Sequence, residues 1–428
     1  MTETQITKII GREVWDSRGR PTVEAEVHLA NGSIGRAIAP SGASTGRREA
    51  LDLRDGGKRL GGHGVNQAIT SVRTEIADAL IGYDAVDQST IDRCLIRLDG
   101  TPQKTRLGGN ALVAVSSAVS WAAASGLRTP LWRHLAGLAG LNPDQCHIPI
   151  PMIQIFGGGA HAHNRIDIQD FLIICNGADS FSQSIEWTAE VYRAASSLMK
   201  ARGSLMGVCD EGGLWPDFHR NEEVLQVLTE AITTAGFSPR KEISIALDVA
   251  ASEFHKDGAY QFILEDRRFS TDEMVQLLQR WCEDYPINSL EDPLHEDDKE
   301  GFIAITEKLG GHVQIIGDDY LTTNAKLIQK AGKEHACNAV LLKSNQCGTI
   351  TELIEASQAA KAANWNTIMS GRSGESEDVT LSHLAIGLDS GQIKVGSVTR
   401  SERTCKWNEV LRIEETSNLR DFWKFQLL

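Results

Sequence analysis

Residues 242–248 read EISIALD, a short apolar run that closes on a carboxylate, and five later stretches repeat the device. They are INSLED (287–292), VQIIGDD (313–319), NAVLLKS (338–344), NTIMSGRS (366–373) and GQIKVGS (391–397), with helix-like segments between them. A brief apolar run ending on a charged or hydroxyl residue reads as a buried parallel strand whose last side chain leaves the core. Repetition of that unit predicts an α/β fold, a barrel that gathers polar groups at one rim. The rim would carry Asp248, Glu291 and Asp318, then Lys343 and Lys394, then Arg372. Such a set suits a cation and an anionic ligand.

Upstream the pattern changes. TVEAEVHLANGSIGRAIAP (22–40) alternates like antiparallel strands around the turn signal Asn31-Gly32. The small-residue loop PSGASTG (40–46) follows, and then helical patterns such as NQAITSVRTEIADAL (66–80) and NALVAVSSAVSWAAASG (110–126). A small sheet followed by helices predicts an N-terminal α+β capping domain over 1–140. The three-proline segment LNPDQCHIPIPM (141–152) is the linker candidate, and 141–428 is assigned to the barrel.

The 428 residues hold 43 Lys and Arg against 57 Asp and Glu, a formal charge of −14. That balance argues against broad binding to nucleic acid or to an anionic membrane, both of which need a basic surface. Eight cysteines show neither C-x-x-C nor zinc-type spacing, as expected of reduced, apolar-packed thiols. Neither a signal-peptide pattern nor an apolar stretch of membrane-spanning length is present, so a cytoplasmic setting is expected.

Asp248, Glu291 and Asp318 are separated by 43 and 27 residues and end successive strand-like runs. Adjacent strand ends would bring three anionic oxygens together, and oxygen-only ligation points to Mg²⁺. The competing reading of any one of them is a helix N-cap. Lys343 and Lys394 should also point into the barrel mouth. Two neighbouring ammonium groups depress each other's pKa, leaving one able to accept a proton near neutrality. The alternative is a salt bridge to a neighbouring carboxylate. PSGASTG lacks the Gly-Lys-Ser/Thr ending of a nucleotide loop, and GGGAHAHN (157–164) opens no helix at its last glycine. Both read as loops that close over a site, or else as ordinary flexible loops. CDEGG (209–213) sets two carboxylates in a glycine-rich turn, which fits a general acid.

DSRGRPTVEAEV, PSGASTG, DEGG, ALDVAASEF, SLEDP, GDD, LLKSNQ, GRSGESED and GQIKVGS, in this order, resemble the motifs of the enolase (phosphopyruvate hydratase) family over nearly the whole chain. The resemblance implies an N-terminal α+β capping domain on an eight-stranded, TIM-like α/β barrel, in a dimeric or higher homo-oligomeric enzyme with two Mg²⁺ per active site, working on a small anionic phosphate or phosphonate. It implies Asp248, Glu291 and Asp318 as ligands of the first Mg²⁺, and Ser44 as a ligand of the second and of the phosphate. Lys343 takes the place of the general base and Glu211 that of the general acid. Lys394 falls at the substrate-carboxylate site, and His161, Gln169, Asp170, Arg372 and Ser373 at substrate-binding positions.

Several positions depart from the family pattern. Gly371 stands where a histidine is usual, Asp170 where a glutamate, Cys209 where a glycine, Gly157 where an asparagine and His163 where an acid. Their concentration near the site predicts a re-shaped substrate pocket, and the lost imidazole at 371 and lost methylene at 170 would open space for a ligand larger than phosphoglycerate. The reading drawn from this is a carboxyphosphonoenolpyruvate synthase-type enzyme of phosphonate natural-product biosynthesis, with a CMP-activated phosphonoformate as second substrate. The alternatives are ordinary dehydration of 2-phosphoglycerate to phosphoenolpyruvate and a catalytically silent binding paralogue.

Overall fold

The computed structural model describes residues 2–417, 419 and 421–425; the outermost residues of the two expected domain ranges lie outside these. Strands β1 (Ile6–Trp15), β2 (Pro21–Leu29) and β3 (Ile34–Ile38) form an antiparallel sheet in that order. The Asn31-Gly32 signal is realised as a turn: Gly32 has φ 84°, and Asn31 Oδ1 accepts the Ser33 N–H at 3.0 Å. The sheet is covered by helix Gly109–Gly126, which is buried on nearly every face. A side chain at Gly35 of β3 would run into the backbone of Ala118 and Ala122, so glycine is what lets the helix lie so close.

Eight strands then close a barrel: β4 (Ile150–Gly157), β5 (Asp170–Ile174), β8 (Ser244–Asp248), β12 (Ile287–Glu291), β13 (Gln314–Gly317), β14 (Ala339–Leu342), β15 (Asn366–Ser370) and β16 (Gly391–Gly396). The β16–β4 pairing, with Lys394 beside Met152, seals it. Between β5 and β8 a hairpin of β6 (Leu205–Val208) and β7 (Leu214–Pro216) lies outside the ring, and β9 (His255–Lys256), β10 (Ala259–Phe262) and β11 (Arg267–Phe269) form a small separate sheet. No single helix among the described residues is long and apolar enough to cross a membrane.

All six runs singled out in the sequence are parallel strands of this ring. Strand β5 is not: it runs antiparallel to both β4 and β8. The regular βα alternation expected after residue 152 therefore starts with a hairpin. Reversal carries the first residue of β5 to the rim where the other strands end, and Asp170 sits in register with Asp248.

Strand parity decides what reaches the mouth. Ala246, Ile316, Leu341 and Ile368 pack inside the ring, whereas Ile245, Leu247, Ile315 and Leu342 pack against the surrounding helices. Side chains two apart share a face. Asp248, Asp318, Lys343 and Ser370 each follow an inward residue by two and so point into the barrel at its open end. Lys394 does the same after Gln392, which bonds Gln314 across the interior at 2.7 Å.

Candidate active site

A cleft of about 340 Å³, counting its open mouth, lies at this rim. It is lined by Ser44, His161, Gln169, Asp170, Glu211, Asp248, Lys343, Arg372, Ser373 and Lys394 among others. Ten of the twelve expected site residues thus share one cavity. Glu291 and Asp318 stand just beyond its wall, each against a lysine that does line it.

Lys394 Nζ lies 2.7 Å from both Asp248 Oδ2 and Glu291 Oε2, and 3.8 Å from Asp170 Oδ2. Lys343 Nζ pairs with Asp318 Oδ2, while Gln346 Nε2 donates to Asp318 Oδ1 at 2.8 Å. Burial works against both ammonium groups, but their carboxylate partners outweigh it, and both lysines are held above the usual range. The expected mutual depression of the two lysines is therefore overturned. Each has a carboxylate in contact, and that attraction exceeds the repulsion between them.

His161 completes a second group. Its Nδ1 is 3.0 Å from Asp170 Oδ1 and its Nε2 is 3.7 Å from Glu211 Oε1. Burial lowers the imidazolium pKa, yet Asp170 and Glu211 more than compensate and raise it to about 9. Asp170 is in turn held low: burial opposes its charge, but His161 and Lys394 prevail.

The donor set fits a divalent cation. Glu291 is almost fully buried, and its Oε1 has no hydrogen-bond partner; Asp170 Oδ2 and Gln169 Oε1 share that condition. Burial, followed by the nearby Asp248, pushes Glu291 well above the usual carboxylate range. A buried carboxylate forced toward neutrality beside another acid marks a shortage of positive charge. Asp248, Glu291 and Asp318 are not drawn into a tight oxygen cluster; Lys394 Nζ bridges the first two, and Lys343 pairs with the third. The tighter cluster of Asp292, Asp318 and Asp319 is a turn instead: Asp292 accepts the N–H groups of Asp318 and Asp319, both at 2.8 Å.

The departures from the family pattern fall into three groups. Gly371 and Asp170 line the cleft. A Cβ at Gly371 would lie 3.1 Å from Glu375 Oε1 and 3.5 Å from Leu381 Cδ2, so there is room for a side chain after a small shift. Gly157 and Cys209 fill each other's space. A Cβ at Gly157 would overlap the Cys209 sulfur and lie 3.1 Å from Cys209 Cβ. The Cys209 thiol donates to Gln154 Oε1 at 3.3 Å, and burial, then Asp170 and Glu211, push its pKa to about 12. His163 is exposed and packs at 5.4 Å on Trp215. Of the five, Gly371 and Asp170, the two expected to open space, border the cleft; Gly157 and Cys209 compensate each other in volume, and His163 lies outside.

Glu49, Asn345, Gln346 and Gln154 support this site and were not expected from the sequence. Glu49 and Asn345 contact Arg372, and Gln346 links Glu49 to Asp318. Gln154 donates to Asp170 and accepts from Gly213 N. Asn345 and Gln346 were inside the quoted LLKSNQ motif; Glu49, three residues past the PSGASTG loop, carried no pattern of its own.

Residues 6–135 match the family model for the enolase N-terminal domain, and residues 145–424 match that for the enolase C-terminal TIM barrel domain. The chain is 48% identical over 414 residues to Enolase 1 of Desulfitobacterium hafniense (strain Y51), covering 96% of this chain and 94% of the relative. With both parts of the fold matched and the acidic and lysine groups gathered at the barrel mouth, the chain belongs to the enolase family.

Proposed function

We propose that this protein removes the proton alpha to the carboxylate of a phosphorylated three-carbon acid and converts 2-phosphoglycerate to phosphoenolpyruvate. The observation that carries this reading is the pair Lys343 and Lys394, set among Asp248, Glu291 and Asp318 in a cleft that also holds Glu211 and Arg372. The name of the 48% identical relative supports dehydration over the phosphonate reading. Residues 1–140 would cap the site, and 141–428 would carry it.

An α-proton beside a carboxylate is very weakly acidic, since its loss creates two adjacent negative charges. Lys343 accepts that proton. Lys394 faces the substrate carboxylate, and Glu211 protonates the departing hydroxyl, assisted by the imidazolium of His161. Arg372, Ser373 and Ser44 hold the phosphoryl group, while Gln169 and Asp170 fix the neighbouring side. A divalent cation such as Mg²⁺, held by Asp248, Glu291 and Asp318, with a second near Ser44, would supply positive charge against the developing dianion and loosen the grip of those carboxylates on the lysines. A lysine base working beside metal ions is the established chemistry of the enolase superfamily, and the pairing is not new to this chain. A homodimer in the cytoplasm accompanies this reading, and sedimentation tests the assembly.

One observation favours a second reading. Gly371 and Asp170 both line the cleft, and both are smaller than the family's usual residue. That supports a carboxyphosphonoenolpyruvate synthase-type enzyme taking a CMP-activated phosphonoformate. Phosphorus NMR with Mg²⁺ and 2-phosphoglycerate, with and without that compound, separates the readings. Phosphoenolpyruvate from 2-phosphoglycerate alone supports dehydration. A new phosphorus signal needing both substrates supports the second reading, and no turnover in either case supports a silent paralogue.

A further inference from the structure

Glu49 is a buried carboxylate that the proposed reaction leaves without a role. It follows the PSGASTG loop, and its Oε2 lies 2.9 Å from Arg372 Nη1, with Oε1 3.4 Å from Nη2. Both ends of the guanidinium fork are thus engaged by one carboxylate, the geometry with which arginine also grips a phosphoryl group. Gly46 N donates to Glu49 Oε1 at 2.9 Å and Gln346 Nε2 at 3.2 Å. Arg372 Nη2 donates to Ser44 O at 2.8 Å and Nη1 to Asn345 Oδ1 at 3.2 Å. Arg372 nevertheless lines the cleft, together with Ser44 and Ser373.

We propose that Glu49 is an internal anion: its carboxylate occupies the Arg372 fork and competes there with the phosphoryl group of the ligand. The inference rests on the reading that Arg372 receives that phosphoryl group. A dianion cannot take the fork while a second buried carboxylate stays on it, because two like charges would then face each other in a medium that screens them poorly. Ligand binding must therefore move Glu49 off Arg372 and disturb the Ser44 contact of the same guanidinium. Glu49 acts through Arg372 as a positioning residue. It lowers affinity for the anion and couples anion binding to the loop of residues 40–46. A purely structural clamp has the opposite signature, since removing it would loosen the site and weaken binding.

The test is calorimetric titration with inorganic phosphate on the full chain, comparing wild type, Glu49→Gln, Glu49→Asp and Arg372→Ala. Glu49→Gln should bind phosphate tighter by roughly ten-fold, because the binding-competent fork is no longer self-occupied. Glu49→Asp keeps the charge and should stay near wild type. Unchanged or weaker binding in Glu49→Gln overturns the proposal. If Arg372→Ala binds as well as wild type, it is the assignment of Arg372 as the phosphoryl site that fails. A crystal structure of the wild type with phosphate in the cleft needs no variant to fold. The proposal requires Arg372 to have left Glu49 for the phosphate, and a structure with both anions on the same fork overturns it.

Discussion

If Gly157 and Cys209 exchange volume, their substitutions must not add. Gly157→Ala places a Cβ against the Cys209 sulfur, 3.1 Å from Cys209 Cβ and 3.2 Å from Gln154 Nε2. Overpacking of this kind costs about 1–3 kcal/mol. Gly157 has no left-handed backbone angle, so alanine returns about 0.4–1 kcal/mol by restricting the unfolded chain. The net expectation is a loss of about 1.5 kcal/mol. Cys209→Ala removes the sulfur and its bond to Gln154 Oε1. Loss of one buried heavy group and a weak hydrogen bond costs about 1–2 kcal/mol. Simple addition would make the double variant about 3 kcal/mol less stable than wild type. In the compensated arrangement the new methyl occupies the vacated sulfur position, and the double variant should lose only about 1 kcal/mol, a coupling of roughly 2 kcal/mol. Urea unfolding followed by two optical probes measures all four corners of the cycle, and coincident transitions license the comparison. Addition within about 0.5 kcal/mol would refute the exchange.

Lys343→Ala should keep the fold and lower turnover of 2-phosphoglycerate by about 10²–10⁴-fold, the usual contribution of a general base, as read by steady-state kinetics. Mg²⁺ at about 100 times its dissociation constant should raise unfolding free energy by roughly 2.7 kcal/mol, and Glu291→Gln should abolish most of that gain in a thermal melt. Asp92 is buried between helix Gln88–Asp99 and the start of helix Ile350–Ala362, where Thr351 N and Oγ1 donate to it at 2.8 and 2.7 Å. Burial raises its pKa from 3.8 to about 6 despite those bonds. The folded state therefore holds a proton between about pH 4 and 6 that the unfolded state releases, and Asp92 makes stability fall as pH rises through that window by about 3 kcal/mol. Against wild type, Asp92→Asn should gain stability over the same interval; a flat difference curve from denaturation at stepped pH contradicts this. Gly371→His should fold and should suppress any activity requiring a second phosphorus substrate more than it changes dehydration, as measured by phosphorus NMR.

Much of the barrel was legible because six of its seven parallel strands, β8 and β12 to β16, are buried on both faces, which leaves a continuous apolar run with a polar last residue. Strand β5 was harder to read. Its rim residue, Asp170, comes first in the strand, and a rule about strand ends passes over it unless the reversal is known. The acidic and lysine groups were legible as types and as neighbours, since parity of two fixes their direction. Their charge states were not. Which carboxylate contacts Lys343 or Lys394 depends on Å-scale distances between strands, and those contacts reversed the expected pKa shift. The Gly157–Cys209 exchange lay 52 positions apart in sequence and became visible only through contact. Glu49 carried no local signal for a similar reason, since its partner Arg372 is 323 residues away.

The proposed chemistry begins with Lys343, at the mouth of the barrel, taking a proton from the carbon beside the substrate carboxylate. Proton NMR of 2-phosphoglycerate in D₂O with Mg²⁺ observes that step itself. The wild type should replace the C2 proton with deuterium or release it in forming phosphoenolpyruvate, and Lys343→Ala should do neither. A wild-type protein, loaded with Mg²⁺ and shown to bind the substrate, that leaves the C2 proton in place would rule out Lys343 as the base.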